Sequence, residues 1–203
     1  MKSERFRRAI TAIDAANAGD PNRIALRGAE RPKELAHAEL VTEWIARLAP
    51  DASEALRLAA RAHHVRRWEI PRASQPADRA GYHRWRKALH EHHARVVGEL
   101  LAGAGYAQAE IARVQDLVRK RGLGRDPEVQ ALEDALCLVF LETQLTELAA
   151  RMDAAKLVGV MRKTLRKMSS SARALAAELP LDAVSRALLA RAVREEGEGA
   201  PVS

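Results

Sequence analysis

The sequence has 203 residues, of which 47% are hydrophobic and 30% are charged. This balance is typical of a folded chain that can bury a core of its own, and it excludes an intrinsically disordered protein. Aromatic residues make up only 3%, whereas Ala, Leu, Arg and Glu are abundant. These four are strong helix formers, so the composition predicts an all-α fold.

The formal net charge is +7, and the calculated isoelectric point is about 10.1. A basic chain attracts polyanions, so the balance indicates nucleic acid or phosphorylated metabolites as partners. The alternative is that arginine is used mainly for solvated helix faces. Both interpretations stay open at the level of the sequence, and nothing in the pattern indicates an oligomeric state.

Cys137 is the only cysteine, which excludes an internal disulfide bond and a cysteine-based zinc site. The first residues lack the apolar segment of a signal peptide, and no apolar run is long enough to span a membrane. We therefore expect a cytoplasmic protein without a membrane partner.

Apolar residues at helical spacing, together with capping and helix-breaking residues, divide the chain into predicted helices. The pattern predicts a single all-helical domain over residues 1–195, a bundle of about seven to eight helices, followed by a flexible tail over residues 196–203. A link containing two prolines, residues 71–76, interrupts the series. The predicted helices cover residues 5–17, 32–48, 51–65, 82–102, 108–121, 127–152, 154–167 and 181–194.

All seven histidines fall within residues 37–93, and several occupy positions where a core residue is expected. His37, His63 and His93 each lie on the apolar stripe of a different predicted helix, and His64 directly follows His63. Asp134 lies on the apolar stripe of a fourth helix. Because apolar stripes converge in a core, these side chains can converge too, and imidazole with carboxylate suits a divalent zinc, manganese or iron ion. The alternative is that each histidine is a hydrogen-bonded core residue and that Asp134 pairs with a buried arginine.

Between His64 and Arg95 the chain is rich in arginine with interleaved aromatic residues. Guanidinium groups bind phosphate oxygens and aromatic rings stack on bases, so this segment is where we expect a small anionic substrate to bind. Salt bridges across helix surfaces are the alternative. No glycine-rich phosphate loop is present, which argues against a P-loop or Rossmann site. The predicted substrate-binding residues are Arg66, Arg67, Trp68, Arg72 and Arg86.

The run Ala59-Ala60-Arg61-Ala62-His63-His64-Val65, with His37 before it and His93 and Asp134 after it, resembles the layout of the HD-domain superfamily. The members of that superfamily are all-helical and bind one or two metals through a His, a His-Asp pair and a distal Asp. Most are phosphohydrolases, and a minority are mixed-valent diiron oxygenases. In this sequence His64 stands where the aspartate of the pair is expected. The resemblance implies as metal ligands His37, His63, His64 and Asp134, with His93 for a second metal.

A second resemblance covers nearly the whole chain, through runs such as Arg66-Arg67-Trp68-Glu69-Ile70-Pro71-Arg72 and Leu132-Glu133-Asp134-Ala135-Leu136. These runs are similar to an uncharacterised helical family, domain of unknown function 4202. The family supplies no reaction. Its members often carry glutamine at the position of His63 while keeping His64, which implies that His64 is the functional histidine of the two.

These patterns together predict a metal-dependent hydrolase that acts on a small phosphorylated or nucleotide-like substrate. His37, His64, His93 and Asp134 would hold the metal, and Glu133 would act as general base or orient a ligand. Glu133 and His93 are thus the predicted catalytic residues. Two alternatives stay open, namely a basic helical module that binds RNA or another polyanion without catalysis, and an HD-like iron oxygenase.

Overall fold

The computed structural model describes residues 3–198, and within this range the chain is almost entirely helical. The all-α prediction is confirmed, with nine α-helices in the described range instead of seven to eight. Two single-turn 3-10 helices follow α3: Arg67–Glu69 lies before the predicted link, and Arg72–Ser74 lies within it. The other elements are α1 Glu4–Ala18, β1 Arg23–Leu26, β2 Ala29–Pro32, α2 Lys33–Leu48, α3 Glu54–Ala62, α4 Arg79–Gly103, α5 Gln108–Val118, α6 Pro127–Arg151, α7 Ala154–Leu165, α8 Ser170–Ala177 and α9 Ala183–Glu198.

Two elements were not predicted. The first is the antiparallel hairpin β1–β2, whose two-residue turn consists of Arg27 and Gly28, with φ angles of 53° and 80°. Such a turn usually carries Asn-Gly or Asp-Gly, and the arginine at its first position is the reason that the sequence pattern did not predict the hairpin. The second is α8, which is only eight residues long. The Ser169 side chain accepts a hydrogen bond from the backbone N–H of Ala172 and so caps α8, which is a signal that the sequence did contain.

The chain divides into two compact units, Met1–Leu132 and Glu133–Ser203, and α6 begins in the first and continues in the second. Of the predicted C-terminal tail, residues 199–203 lie outside the described residues, while α9 extends to Glu198. No helix in the described range is both long and apolar enough to cross a membrane.

In the first unit, helices α1 to α5 pack around a core of small and branched aliphatic side chains. α3 contacts α1, α2 and α5, and α4 contacts α1 and α5. The side chain of Ser53 caps α3 by accepting a hydrogen bond from the backbone N–H of Leu56, and Asp78 caps α4 in the same way through Gly81. Residues that are fully buried in this core include Ile13, Leu40, Ile45, Leu56, Leu58, Leu89 and Leu101.

In the second unit, α9 packs against α7 and α8. Leu157, Met161 and Leu165 of α7 are buried, which follows their spacing along one helix face. Cys137 is also buried, with its Sγ 4.0 Å from the Thr164 carbonyl oxygen, in line with a packing role.

Asp20 hydrogen-bonds both to Asn22, the residue before the hairpin, and to the first turn of α2. This carboxylate is 3% exposed. Its Oδ1 accepts hydrogen bonds from the backbone N–H and the side-chain amide of Asn22, and its Oδ2 accepts one from the backbone N–H of Glu34, at 2.9 Å. The first turn of a helix has unsatisfied N–H groups, and Asp20 supplies the acceptor for one of them.

We expect Asp20→Ala to lower the free energy of unfolding by about 1 to 3 kcal/mol, because the buried N–H of Glu34 would lose its acceptor. Urea denaturation followed by circular dichroism measures this. The exposed turn residue Asp51 provides the control, and Asp51→Ala should change the stability by less than about 0.5 kcal/mol. Equal effects of the two substitutions would contradict the role given to Asp20.

Candidate functional site

Glu34, in the first turn of α2, is a carboxylate in the interior of the first unit, 5% exposed. Its Oε2 lies 3.8 Å from Nδ1 of His37, one turn further along α2, and 3.3 Å from Nδ1 of His64. Its Oε1 lies 3.8 Å from Nε of Arg67. The carboxylate therefore lies among two imidazoles and one guanidinium, contributed by α2 itself and by the segment that follows α3.

His63 and His64 follow the end of α3 and have different surroundings. Nδ1 of His63 contacts the Ala60 carbonyl oxygen at 2.9 Å, within the last turn of the helix. Its ring packs against the His64 ring with the two centroids 4.3 Å apart. Burial lowers the pKa of His63 well below its ordinary value. Of the two neighbours, His64 is the one that faces Glu34, which agrees with its predicted importance.

His93 projects from α4 into the same region and is 1% exposed. Its Nδ1 lies 2.8 Å from the carbonyl oxygen of Val65. A carbonyl can only accept, so Nδ1 carries the proton and Nε2 keeps its lone pair. This arrangement, in which one ring nitrogen donates to a carbonyl and the other is free, is typical of histidines that bind metals. The rings of His93 and His64 are 5.6 Å apart.

Four side-chain atoms in this cluster are buried and have no hydrogen-bond partner: Glu34 Oε2, His37 Nε2, His64 Nδ1 and His93 Nε2. Although Glu34 Oε2 and His64 Nδ1 are close, their alignment does not form a hydrogen bond. Buried polar atoms without partners are rare in native proteins, because each has lost its hydrogen bonds to water. Four of them on these residues make the cluster the candidate functional site.

The protonation states of these groups suit a cation. Burial lowers the pKa of His93 to about 3, against the opposing effect of the Val65 carbonyl, and burial also lowers the pKa of His64. Burial favours the neutral form of Glu34, but the imidazoles of His37 and His64 outweigh it and hold the pKa of this carboxyl well below its usual value. Neutral imidazoles beside a carboxylate are the form in which these residues bind metals.

A donor set of one carboxylate and up to three imidazoles fits zinc, manganese or iron. We call Glu34, His37, His64 and His93 the histidine cluster. Among residues 3–198, no three or more His, Cys, Asp or Glu side chains are arranged as a complete ion site. Binding would therefore require these side chains to rotate toward a common point.

Arg67, one of the predicted substrate-binding residues, lies next to the histidine cluster. Burial lowers the pKa of Arg67, and the positive charge of Arg86, another of these residues, contributes to that lowering. The Arg67 guanidinium lies over the ring of Trp85, 4.9 Å from its centroid, and Arg86 lies 6.0 Å from the centroid of Tyr82. The indole of Trp85 donates a hydrogen bond to the Ile70 carbonyl oxygen, at 2.9 Å, which fixes its orientation. Cations over aromatic faces are attracted to the ring electrons.

The other three predicted substrate-binding residues have structural contacts. Arg72 donates hydrogen bonds to the carbonyl oxygens of Gln75 and Pro76 and so holds its own loop. Trp68 lies beside the turn at Gly19, and Nε of Arg66 lies 3.8 Å from a carboxylate oxygen of Glu69. A role for Arg66, Trp68 and Arg72 in substrate binding stays a prediction.

Asp134 and Glu133 belong to the second unit and are both buried there. Oδ1 of Asp134 accepts a hydrogen bond from the backbone N–H of Ser169, at 2.8 Å. Oε1 of Glu133 lies 3.6 Å from Nζ of Lys167. This hydrogen bond of Asp134 is to a backbone N–H. The participation of Asp134 and Glu133 in a metal site stays a prediction.

Sequence reasoning missed Glu34. The signal was available, because Glu34 precedes His37 by three residues and therefore lies one helical turn away on the same face. A glutamate in the first turn of a helix is also favoured by the helix dipole, which concealed its functional interpretation.

Comparison with protein families gives a match over residues 7–189, to the family described as Domain of unknown function (DUF4202). The comparison with curated proteins and the comparison with solved structures each gave no match.

The depressed pKa of His93 predicts a loss of stability in acid. The unfolded chain binds a proton near the ordinary value of 6.5, whereas the folded protein does so only near 3, so stability falls as the pH falls below about 6.5. At about pH 5.5 this histidine should cost about 1.4 kcal/mol relative to neutral pH. His93→Asn keeps a donor for the Val65 carbonyl oxygen but cannot titrate, so its stability should depend less on pH by that amount.

Urea denaturation in the presence of a chelator, at about pH 7.5 and about pH 5.5, measures this difference. His83, exposed on α4, supplies the control, and His83→Asn should leave the pH dependence unchanged. If His93→Asn and the unsubstituted protein lose the same stability in acid, His93 is not held neutral by burial.

Proposed function

This chain belongs to the DUF4202 family, a domain of unknown function, and we propose that it is a metal-dependent hydrolase acting on a small phosphorylated or nucleotide-like substrate. The observation that supports this proposal is the set of four buried, unpartnered donor atoms on Glu34, His37, His64 and His93. A divalent zinc, manganese or iron ion would offer these atoms a partner once the side chains rotate toward a common point. The HD-domain-like layout of the sequence agrees with this proposal.

In this proposal the histidine cluster holds the metal, and Glu34 takes the place of the aspartate that the motif at His63-His64 lacks. A bound divalent ion would supply an activated water at neutral pH and would polarise a phosphoryl oxygen. His93 is oriented for this task by the Val65 carbonyl oxygen, because the hydrogen bond at Nδ1 directs the Nε2 lone pair. Oriented ligands need less reorganisation on binding.

The guanidinium of Arg67 lies beside Glu34, so an anionic substrate bound there would be next to the metal. Hydrolysis of a phosphate ester adds water at phosphorus, breaks the bond to the alcohol oxygen, and releases the alcohol and phosphate. Arg67 and Arg86 would neutralise the charge on the phosphoryl oxygens during this step. Their side chains act without proton transfer, because guanidinium stays protonated at neutral pH.

A basic module that binds RNA or another polyanion is the main alternative. Many arginines of the first unit are engaged in ion pairs with carboxylates, for example Arg113 with Asp126 and with Glu128, both at 2.6 Å. Arg5 pairs with Glu110 at 2.7 Å. Arginines engaged in this way are less available to phosphates, which favours a local anionic substrate over an extended nucleic acid.

Metal analysis of protein purified without added ions tests the proposal. We expect about one equivalent of zinc, manganese or iron per chain. His64→Ala and Glu34→Gln should each lower the metal affinity by at least about tenfold, since each removes a donor. Phosphate release from a panel of phosphate esters should stop with a chelator and resume when the ion is restored.

His83→Ala, on the exposed part of α4, is the matched control and should retain the metal. Less than about a tenth of an equivalent of any transition metal, with none taken up on addition, would exclude the hydrolase proposal. Iron accompanied by an oxygen-dependent absorption band, without ester hydrolysis, would identify an oxygenase in its place. RNA binding whose logarithm falls steeply with the logarithm of salt concentration, without metal, would identify the polyanion-binding module.

A further inference from the structure

Arg67, Arg72 and Arg86 surround two aromatic rings at the start of α4. The rings of Tyr82 and Trp85 have their centroids 6.0 Å apart. The Arg72 guanidinium lies 5.9 Å from the Trp85 centroid and 6.0 Å from the Tyr82 centroid, and Arg67 and Arg86 lie over Trp85 and Tyr82 respectively. Three positive charges are therefore gathered on one small aromatic platform.

The positive charge of this group is poorly compensated. Arg72 is committed to backbone carbonyls of its own loop. Within the described residues, the closest carboxylate contact of Arg67 is Glu34 at 3.8 Å, which is too long for a hydrogen bond. The hydrogen bond found for Arg86 is a weak one to the hydroxyl of Tyr82, at 3.4 Å. Forked N–H donors that lack an acceptor fit an anion that brings several oxygens.

The backbone before Arg67 is held in an uncommon conformation. Arg66 has a φ of 52°, in the left-handed region that a residue with a side chain rarely adopts. Its backbone N–H donates to the buried side chain of Asn17, and its carbonyl oxygen lies 3.2 Å from Nε2 of His92. Local strain maintained by surrounding contacts is common where a side chain must be presented for a function.

We propose that Arg67 and Arg86 form a phosphate-binding subsite, in which the two guanidinium groups bind the oxygens of a phosphate monoester above the Trp85–Tyr82 platform. The subsite is specific for the phosphoryl group because two forked donors match its several oxygens. Trp85 and Tyr82 hold the two guanidinium groups in place, and Arg72 fixes the loop that packs against Trp85.

The position of the subsite connects it to the proposed reaction. Arg67 contacts Glu34, so a phosphate bound to Arg67 lies beside the histidine cluster. That this phosphate is the one carried by the substrate rests on the proposed function. The binding itself does not require the metal. Phosphate binding without metal would therefore survive failure of the hydrolase proposal.

Isothermal titration of the full chain with inorganic phosphate, in the presence of a chelator, tests the subsite. Arg67→Gln and Arg86→Gln should each weaken phosphate binding by about tenfold to a hundredfold, the usual value of a charge-assisted hydrogen bond. Arg67→Lys keeps the charge but loses the fork, so we expect an intermediate loss. Circular dichroism and thermal unfolding of each variant show whether the fold is retained.

Arg79→Gln is the matched control, because Arg79 is exposed at the start of the same helix and its substitution changes the net charge equally. It should leave phosphate binding within about twofold, as expected for an exposed surface charge that is screened by salt. The same titration with ribose 5-phosphate and with a nucleoside monophosphate distinguishes the sources of the phosphate. Equal affinities for the three ligands support recognition of the phosphoryl group alone. Tighter binding of the nucleotide, which the substitution Tyr82→Leu then weakens, supports a subsite in which the base also stacks on an aromatic ring.

Two results would overturn the subsite. One is the absence of measurable binding for all three ligands to the unsubstituted protein. The other is an equal loss for Arg79→Gln and Arg67→Gln, because binding would then reflect only the overall positive charge.

Discussion

The candidate site depends on keeping one carboxylate ionised inside a helical core. Glu34 is 5% exposed, and an ionised group at such a position is costly unless its surroundings compensate it. The compensation comes from His37 on the same helix, and from His64 and Arg67 in the segment that follows α3. None of the three contacts is an ideal ion pair, and the acceptor Oε2 has no hydrogen bond. This incomplete compensation is what the proposed cation site rests on.

The surrounding backbone keeps the members of the cluster in place without satisfying them. Asp20 binds the backbone N–H of Glu34 and leaves its carboxylate free. The Val65 carbonyl oxygen occupies one nitrogen of His93 and leaves the other free. In both residues the contact determines position while the reactive atom stays open. A purely structural polar network would be expected to use all of its donors and acceptors, because a half-satisfied buried network costs free energy.

Much of the helical fold could be predicted from the sequence because it depends on local chemistry. The boundaries of α2 and α6 were predicted within about one residue, since Pro32 and Asp126-Pro127 are strong start signals. The hairpin and α8 are short, and short elements carry few periodic positions. For the site, the apolar stripe indicated the burial of His37 and His93, but the choice between His63 and His64 depends on where the chain turns after Ala62, which no local pattern specifies.

The same reasoning explains why the arginines were harder to assign than the histidines. A buried imidazole is unusual enough that its position alone carries information, whereas arginine serves equally well in loops, salt bridges and ligand sites. Arg67 and Arg72 are five residues apart in one basic segment, yet Arg72 binds backbone carbonyls and Arg67 faces a buried carboxylate. Between these two arginines and α3 lies the left-handed backbone at Arg66, which Asn17 and His92 hold in place immediately before Arg67. A backbone conformation of this kind depends on contacts with residues far apart in the sequence, so the local pattern of basic residues could not reveal which arginine faces Glu34.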